Sequence, residues 1–459
     1  MTLQQVDLAV IGFGKGGKTL AAALGRKGWR VTVIEQSAQM YGGTCINIGC
    51  VPTKSMVFRS EQLPAGQPHQ VEYARAVTAT GELTADLRAK NYAMIDGIAT
   101  ADVLTGAARF TDPHTLEVAT ADGGVTVSAK WIVIGTGSRP TLPDIPGLTA
   151  SPRVHTSTDL LTEEHLPARL VVLGGGYVGL EFAAMYAAYG SEVTVLERHA
   201  QVLGREDADI ADTARNILQN KGLRIITEAQ VTEVNDGTVS YLTEGPSHTV
   251  DADAILVALG REPVTAGLNL AAADVHTTPS GAVIVDEHLR TNQPHIFAMG
   301  DVNGGPQFTY ISLDDYRIVL DQLIGDGARS TGDRDAVPYA LFMTPPLGRV
   351  GLTEREAVAA GLDIKVAAMR VADMATVPRA RIVGEPEGLM KVIVDADTDL
   401  ILGAALLCYD SHEVINTVAL AMRHGITATA LRDSIYTHPS MTEAFNQLLG
   451  ALQPLTAAD

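Results

Sequence analysis

Residues 6–35 read VDLAVIGFGKGGKTLAAALGRKGWRVTVIE, and residues 169–197 read RLVVLGGGYVGLEFAAMYAAYGSEVTVLE. Each runs from a short apolar stretch through a G-x-G-x-x-G triplet and an alanine-rich segment to a second apolar stretch ending in an acid. Gly12, Gly14, Gly17 and Glu35 recur as Gly174, Gly176, Gly179 and Glu197, each 162 residues further on. The pattern predicts two strand–turn–helix–strand units and therefore an α/β chain. In such a unit the first glycine permits the tight turn, the second lets backbone approach a pyrophosphate, and the third lets helix and strand pack closely. The helix N-terminus offers free N–H groups to phosphate, and the terminal acid accepts from a ribose diol. A packing turn without a ligand is the bland alternative, and it would have to hold twice.

Two dinucleotide sites in one chain suggest two cofactors that exchange electrons. Glu197 favours NADH, because a 2′-phosphate would face a carboxylate; Arg198 and His199 follow at once and leave NADPH open. The chain has 34 Lys and Arg against 53 Asp and Glu, a net charge of −19. That surface repels nucleic acid and anionic membranes, so neither is an expected partner. No apolar run reaches the ~18 residues of a membrane span. The N-terminal VDLAVIG is strand-length rather than a signal peptide, and three cysteines make no secreted disulfide framework. The expected location is cytoplasmic.

Two of those cysteines, Cys45 and Cys50, lie in MYGGTCINIGCVPTK, just beyond the first unit. A regular helix would separate them by ~7.5 Å along its axis, whereas a disulfide needs Cα atoms within ~7 Å. A bridge therefore requires an irregular helix entry, which Gly49 can supply, with Pro52 in the first turn. Cys50 would then sit at a helix N-terminus, where a thiolate is stabilised and can face an oxidised redox ring. Cys45 would face outward to exchange with a substrate. Inert packing and half of a zinc site are the alternatives, although no second Cys/His pair follows at ligand spacing.

GGTCINIGCVPTK resembles the active-site segment of the pyridine nucleotide–disulfide oxidoreductases, which include glutathione reductase, dihydrolipoamide dehydrogenase and mercuric reductase. WIVIGTGSRP (131–140), ILVALGREP (255–263), TNQPHIFAMGDV (291–302), FMTPPLGRVGLTE (342–354) and THPSMTE (437–443) resemble further family segments, in family order. The resemblance implies two Rossmann-like nucleotide-binding domains plus a C-terminal α+β dimerisation domain. The expected ranges are 1–148 and 270–336 for FAD, 149–269 for NAD(P), and 337–459 for the interface of a homodimer. FAD would be held by Gly12, Gly14, Gly17, Glu35, Gly43, Thr44, Lys54, Gly137 and Asp301. The nicotinamide nucleotide would be held by Gly174, Gly176, Gly179, Glu197 and Gly260. The implied catalytic set is a Cys45–Cys50 disulfide, a Lys54–Glu181 ion pair beside the flavin, and His438 oriented by Glu443 and delivered to the other subunit.

Within the family, GFGKGGKTLAAAL, GGPQFTYISLDDYRIV (304–319) and LLCYDSHEVIN (406–416) resemble the bacterial reactive-chlorine-resistance flavoproteins, a mercuric-reductase-like group associated with NADH-dependent copper(II) reduction. The implied acceptor is a metal ion or small molecule, in oxidant defence. The tail LLGALQPLTAAD has no cysteine pair of the kind mercuric reductase carries. Dihydrolipoamide dehydrogenase or a small-disulfide reductase is the alternative enzyme, and a redox sensor without turnover is the alternative of another class. Cys408 and His412 read as core residues before they read as redox or copper-ligating groups, and no resident metal is expected. Tyr310, Asp314, Asp315 and Tyr316 either shape the acceptor site or cap a helix.

Overall fold

The computed structural model describes residues 2–64 and 66–455; residue 1 and residues 456–459, the outer ends of the expected domain ranges, lie outside them. The first unit is built as its pattern predicts. Strand β1 (Thr2–Ile11) turns at Gly12 into helix α1 (Lys15–Gly25), which returns to β2 (Val31–Glu35), parallel to β1 with Leu8 opposite Val31. Two short helices follow, α2 (Thr44–Asn47) and α3 (Cys50–Ser60), then the 28-residue α4 (His69–Asp96). Strands β3 (Ala101–Thr105), β4 (Ala107–Asp112), β5 (Thr115–Thr120) and β6 (Gly123–Ile134) complete a sheet of order β3-β2-β1-β6-β5-β4. The strand Ile296–Ala298 joins β6 in parallel, so the chain re-enters this sheet after a long excursion.

That excursion contains the second copy. Strands Arg169–Leu173 and Glu192–Leu196 pair in parallel around the helix Tyr177–Ala188, inside a five-stranded parallel sheet. The segments GTGSRP (135–140) and ALGREP (258–263), one before and one after the second unit, meet by pairing Ser138–Pro140 antiparallel to Arg261–Pro263. Residues 339–454 form a six-stranded antiparallel sheet with helices, whose core holds Phe445, Ile415 and Val392. Lys391 of this last sheet is buried and pairs with Asp207, Asp209 and Glu354 at 3.2, 3.0 and 2.6 Å, clasping the last unit to the second.

The segment 59–71 reads as a loop, but α3 runs to Ser60 and α4 starts at His69, so the loop is shorter. Nothing in the sequence announces α4. Only Tyr73, Ala76, Val77, Thr80, Thr84 and Ile95 of its residues are buried, too few for a clear 3.6-residue apolar stripe.

The glycines divide by role. Gly12 and Gly174 take φ of +103° and +108°, left-handed values that glycine adopts without strain. A Cβ at Gly179 would collide with the Gly174 carbonyl oxygen, and one at Gly17 would lie 2.9 Å from the Gly12 carbonyl oxygen. A Cβ at Gly176 would meet nothing within 4 Å. Gly179→Ala should therefore cost about 1–3 kcal/mol through overpacking. Gly176→Ala should stay within about 0.5 kcal/mol of the parent. Chemical denaturation of both variants checks the pair, and equal losses would contradict the assignment.

Candidate active site

The repeat extends to the hydrogen bonds. Glu35 Oε2 accepts from the Phe13 N–H at 3.0 Å and Oε1 from the Ser37 N–H at 3.4 Å. Glu197 repeats both at the same offset, accepting from Gly175 at 2.7 Å and His199 at 2.9 Å. Each carboxylate is buried and closes its own glycine turn. Burial pushes the Glu35 carboxyl above its usual range, against the pull of its backbone donors. Helices Lys15–Gly25 and Tyr177–Ala188 start at Gly14 and Gly176 with neither a side-chain cap nor an acid in the first turn. Beside Gly14, the nearest heavy atom to an added Cβ would be 3.8 Å away. Uncapped N–H groups beside open backbone are what two pyrophosphates require, so both turns fit a dinucleotide. Gly137 and Gly260, at φ +71° and +110°, have open space where a Cβ would stand.

Gly43 (φ +79°) is pressed against the Gly14 backbone, where an added Cβ would lie 2.6 Å from the Gly14 Cα. This fixes Thr44 and Cys45 beside the first turn. Helix α2 ends after Asn47, Gly49 takes φ −131° and ψ −116°, and α3 begins at Cys50. The break at Gly49 is the irregular entry the spacing demands, and it brings the two sulfurs, as free thiols, close enough for each to act on the other's ionisation. Cys50 Sγ also lies 3.6 Å from Thr309 Oγ1.

The pair is electrically asymmetric. The hydrogen bond from Cys45, helped by Thr309 and the charge of Lys54, pulls the Cys50 thiol down to about 6 against the cost of burial. Cys45 keeps the shared proton and is pushed far above the usual thiol range, by Cys50 first and burial second. Cys50 heads α3 toward the space where Lys54, Thr309 and Arg261 act on it.

Lys54 Nζ donates to Glu181 Oε1 at 2.6 Å, and Glu181 is buried as its apolar neighbours suggest. The Phe342 N–H donates to Glu181 Oε2 at 3.2 Å, and Lys54 Nζ stands 4.8 Å above the Phe342 ring. Asp301 accepts from Ser138 Oγ at 2.5 Å, and Ser138 Oγ in turn accepts from Arg261 Nε at 2.8 Å. Thr309, Ser138 and Arg261 escape a motif reading, because each acts through a neighbour more than a hundred residues away. Their signal is slight: Ser138 and Arg261 occupy matching places in the two strand–turn segments.

His438 Nδ1 and Glu443 Oε2 share a hydrogen bond at 2.8 Å, and Glu443 Oε1 accepts from the Ser440 N–H at 3.0 Å. The histidine side chain is 66 % exposed and makes no hydrogen bond to either sulfur of its own chain. The acidic cluster resolves as scaffolding. Asp315 is fully buried, accepts from the Gly300 N–H at 2.6 Å and pairs with Arg334; Asp314 pairs with Arg329 and Arg334. Tyr310 donates to the Pro338 carbonyl at 2.5 Å, and Tyr316 packs against the core beside α1. Cys408 is fully buried in the last unit's core, its thiol raised by burial. His412 rests against Phe342, ring centroids 5.2 Å apart. Among the described residues no three His, Cys, Asp or Glu side chains gather as metal ligands would.

Two nucleotide turns, a dithiol on a helix N-terminus and an ion pair beside it define a two-cofactor dithiol oxidoreductase. The chain belongs to the pyridine nucleotide–disulphide oxidoreductase family, whose model matches residues 6–315, with the family's dimerisation domain over 337–449. The family uses FAD and NAD(P)H. The chain is 46 % identical to the probable pyridine nucleotide-disulfide oxidoreductase RclA of Escherichia coli, over 98 % of this chain and 100 % of that protein. A Streptomyces lividans mercuric reductase is 35 % identical, over 95 % and 94 %. The solved Cu(II) complex of the HOCl-induced flavoprotein disulfide reductase RclA from Escherichia coli superposes with a TM-score of 0.92 at 46 % identity, covering 97 % of this chain and 99 % of that one. No helix among the described residues is long and apolar enough to cross a membrane.

Because Lys54 adds to the larger pull of Cys45 and to that of Thr309, Lys54→Met should raise the Cys50 pKa part of the way from about 6 toward the ordinary ~8.5. Part of the thiolate present near neutral pH in the parent would be protonated in the variant. Titrating thiolate absorbance near 240 nm in the reduced protein checks this, and an unmoved midpoint would contradict it.

Proposed function

We propose that this protein is an NADH-dependent, homodimeric flavoprotein reductase that passes electrons through Cys45 and Cys50 to copper(II) or another oxidant-linked acceptor in the cytoplasm. The carrying observation is the unequal thiol pair at the Gly49 break, beside the first dinucleotide turn and the Lys54–Glu181 pair. FAD, when bound, supplies the two-electron chemistry that links a nicotinamide hydride to the sulfurs. Gly12, Gly14, Gly17, Glu35, Gly43, Thr44, Lys54, Gly137 and Asp301 are its proposed holders. Gly174, Gly176, Gly179, Glu197 and Gly260 hold the nicotinamide nucleotide, and the buried Glu197 carboxylate supports the NADH preference.

Cys50 is the sulfur kept as thiolate at neutral pH, and Cys45 is the sulfur that exchanges. Glu443 fixes the His438 ring through Nδ1, leaving Nε2 to give or take a proton. The exposure of this ring, unbonded to its own chain's sulfurs, supports delivery to the partner subunit's Cys45. Likeness to a protein whose solved structure is a Cu(II) complex supports the metal-ion acceptor. A second reading, dihydrolipoamide oxidation, draws on the His438–Glu443 pair and on 30 % identity to the dihydrolipoyl dehydrogenase of Geobacillus stearothermophilus.

NADH oxidation against copper(II), mercury(II), lipoamide and glutathione disulfide separates the readings. Sustained turnover with copper(II) is expected. Faster exchange with lipoamide would move the assignment to the second reading, and no turnover with any acceptor would leave a sensor. NADH reduction should also raise a long-wavelength absorbance from a thiolate beside the flavin. Cys50→Ser should abolish it, whereas Cys45→Ser should keep flavin reduction and lose disulfide exchange.

A further inference from the structure

Lys18 follows the third glycine of the first turn, yet its side chain is only 4 % exposed. It passes down the flank of α1 into the seam with α4 and the cysteine turn. Its Nζ donates to the Gly42 carbonyl at 3.3 Å and to Asn91 Oδ1. Both partners are neutral, and no carboxylate of the described residues lies within salt-bridge distance of it. Asn91 is itself held by the Leu87 carbonyl, at 2.7 Å from its Nδ2, so the acceptor is fixed in place. Gly42 stands three residues before Cys45. A buried cation without a counter-ion is costly unless a negative charge forms nearby.

We propose that Lys18 is the positioning charge for the Cys45 thiolate, the anion formed when Cys45 of the reduced pair gives up its proton to exchange with a substrate. This rests on the reading of Cys45 as the exchanging sulfur. Two electrons, from the nicotinamide nucleotide, break the S–S bond and leave both sulfurs anionic; one then takes a proton from solvent. Cys50 is served by Lys54 and the start of α3. Cys45 has Lys18, which offsets part of the rise imposed by Cys50 and burial, while Thr309 adds a hydrogen bond. Burial first, and Lys15 second, lower the Lys18 ammonium to about 8, with Cys45 acting in the opposite direction. The ammonium is thus charged at pH 7 and loses that charge above about 8.

The test uses the flavin-loaded Cys50→Ser protein, in which Cys45 titrates alone, with the rate of iodoacetamide alkylation followed from pH 6 to 10. An opposite charge nearby lowers the midpoint of a thiol. Adding Lys18→Gln, which keeps hydrogen-bonding capacity, should therefore raise the midpoint and slow alkylation at pH 7 several-fold. Lys18→Arg should restore both. Asn91→Asp leaves Lys18 in place, supplies it with a carboxylate and should raise the midpoint similarly, so the proposal survives testing even if Lys18→Gln does not fold. An unmoved midpoint in either folded variant overturns the proposal. So does loss of flavin from Lys18→Gln with the Cys45 midpoint unchanged, which would make Lys18 a cofactor ligand instead. Cys45→Ser in the parent isolates the underlying reading: if exchange with a disulfide substrate persists there, it is the role of Cys45 that fails.

Discussion

The buried carboxylate of Glu181 is the point at which the three parts of the chain meet. It stands on the helix of the second nucleotide unit, takes the ammonium of Lys54 from the cysteine helix and accepts the backbone N–H of Phe342 from the last sheet. A carboxylate this buried is tolerated because both oxygens are engaged, one by a full charge. Lys54 is thereby held on the side from which it acts on Cys50. The contact that binds the units together thus also sets the electrostatics of the dithiol.

The same economy recurs around the site. Asp315 spends its carboxylate on the Gly300 N–H and Arg334, fixing the turn that carries Asp301. Ser312, one helical turn along from Thr309, accepts from the Gly16 N–H at 3.1 Å and ties that helix to the first glycine turn. Thr309 then reaches Cys50 from the same helix. A polar segment that reads as ambiguous in one dimension is scaffolding in three, and it places the site's hydroxyl and carboxylate at once.

The two thiols illustrate how one geometric irregularity produces chemistry. A continuous helix would hold positions 45 and 50 too far apart to bridge. The break at Gly49 brings them together and leaves Cys50 at a fresh helix N-terminus, where a thiolate is favoured. Proximity and asymmetry follow from the same break, because the proton that Cys45 retains is the one that stabilises the Cys50 anion.

By itself the sequence determined the two glycine units, the acid closing each, the cysteine spacing and the need for an irregular helix entry. Those features are local: turn geometry, strand length and ring closure depend on neighbours within about thirty residues. Tertiary structure alone decided that Glu35 and Glu197 lock their own turns and that Asp314 and Asp315 are braces. It also decided that Lys18 is buried beside the cysteine turn and that a weakly patterned stretch forms the 28-residue α4. These outcomes rest on contacts between residues far apart in the chain, and on burial, which sets the energy of a charge yet leaves no mark in the identity of the residue that carries it.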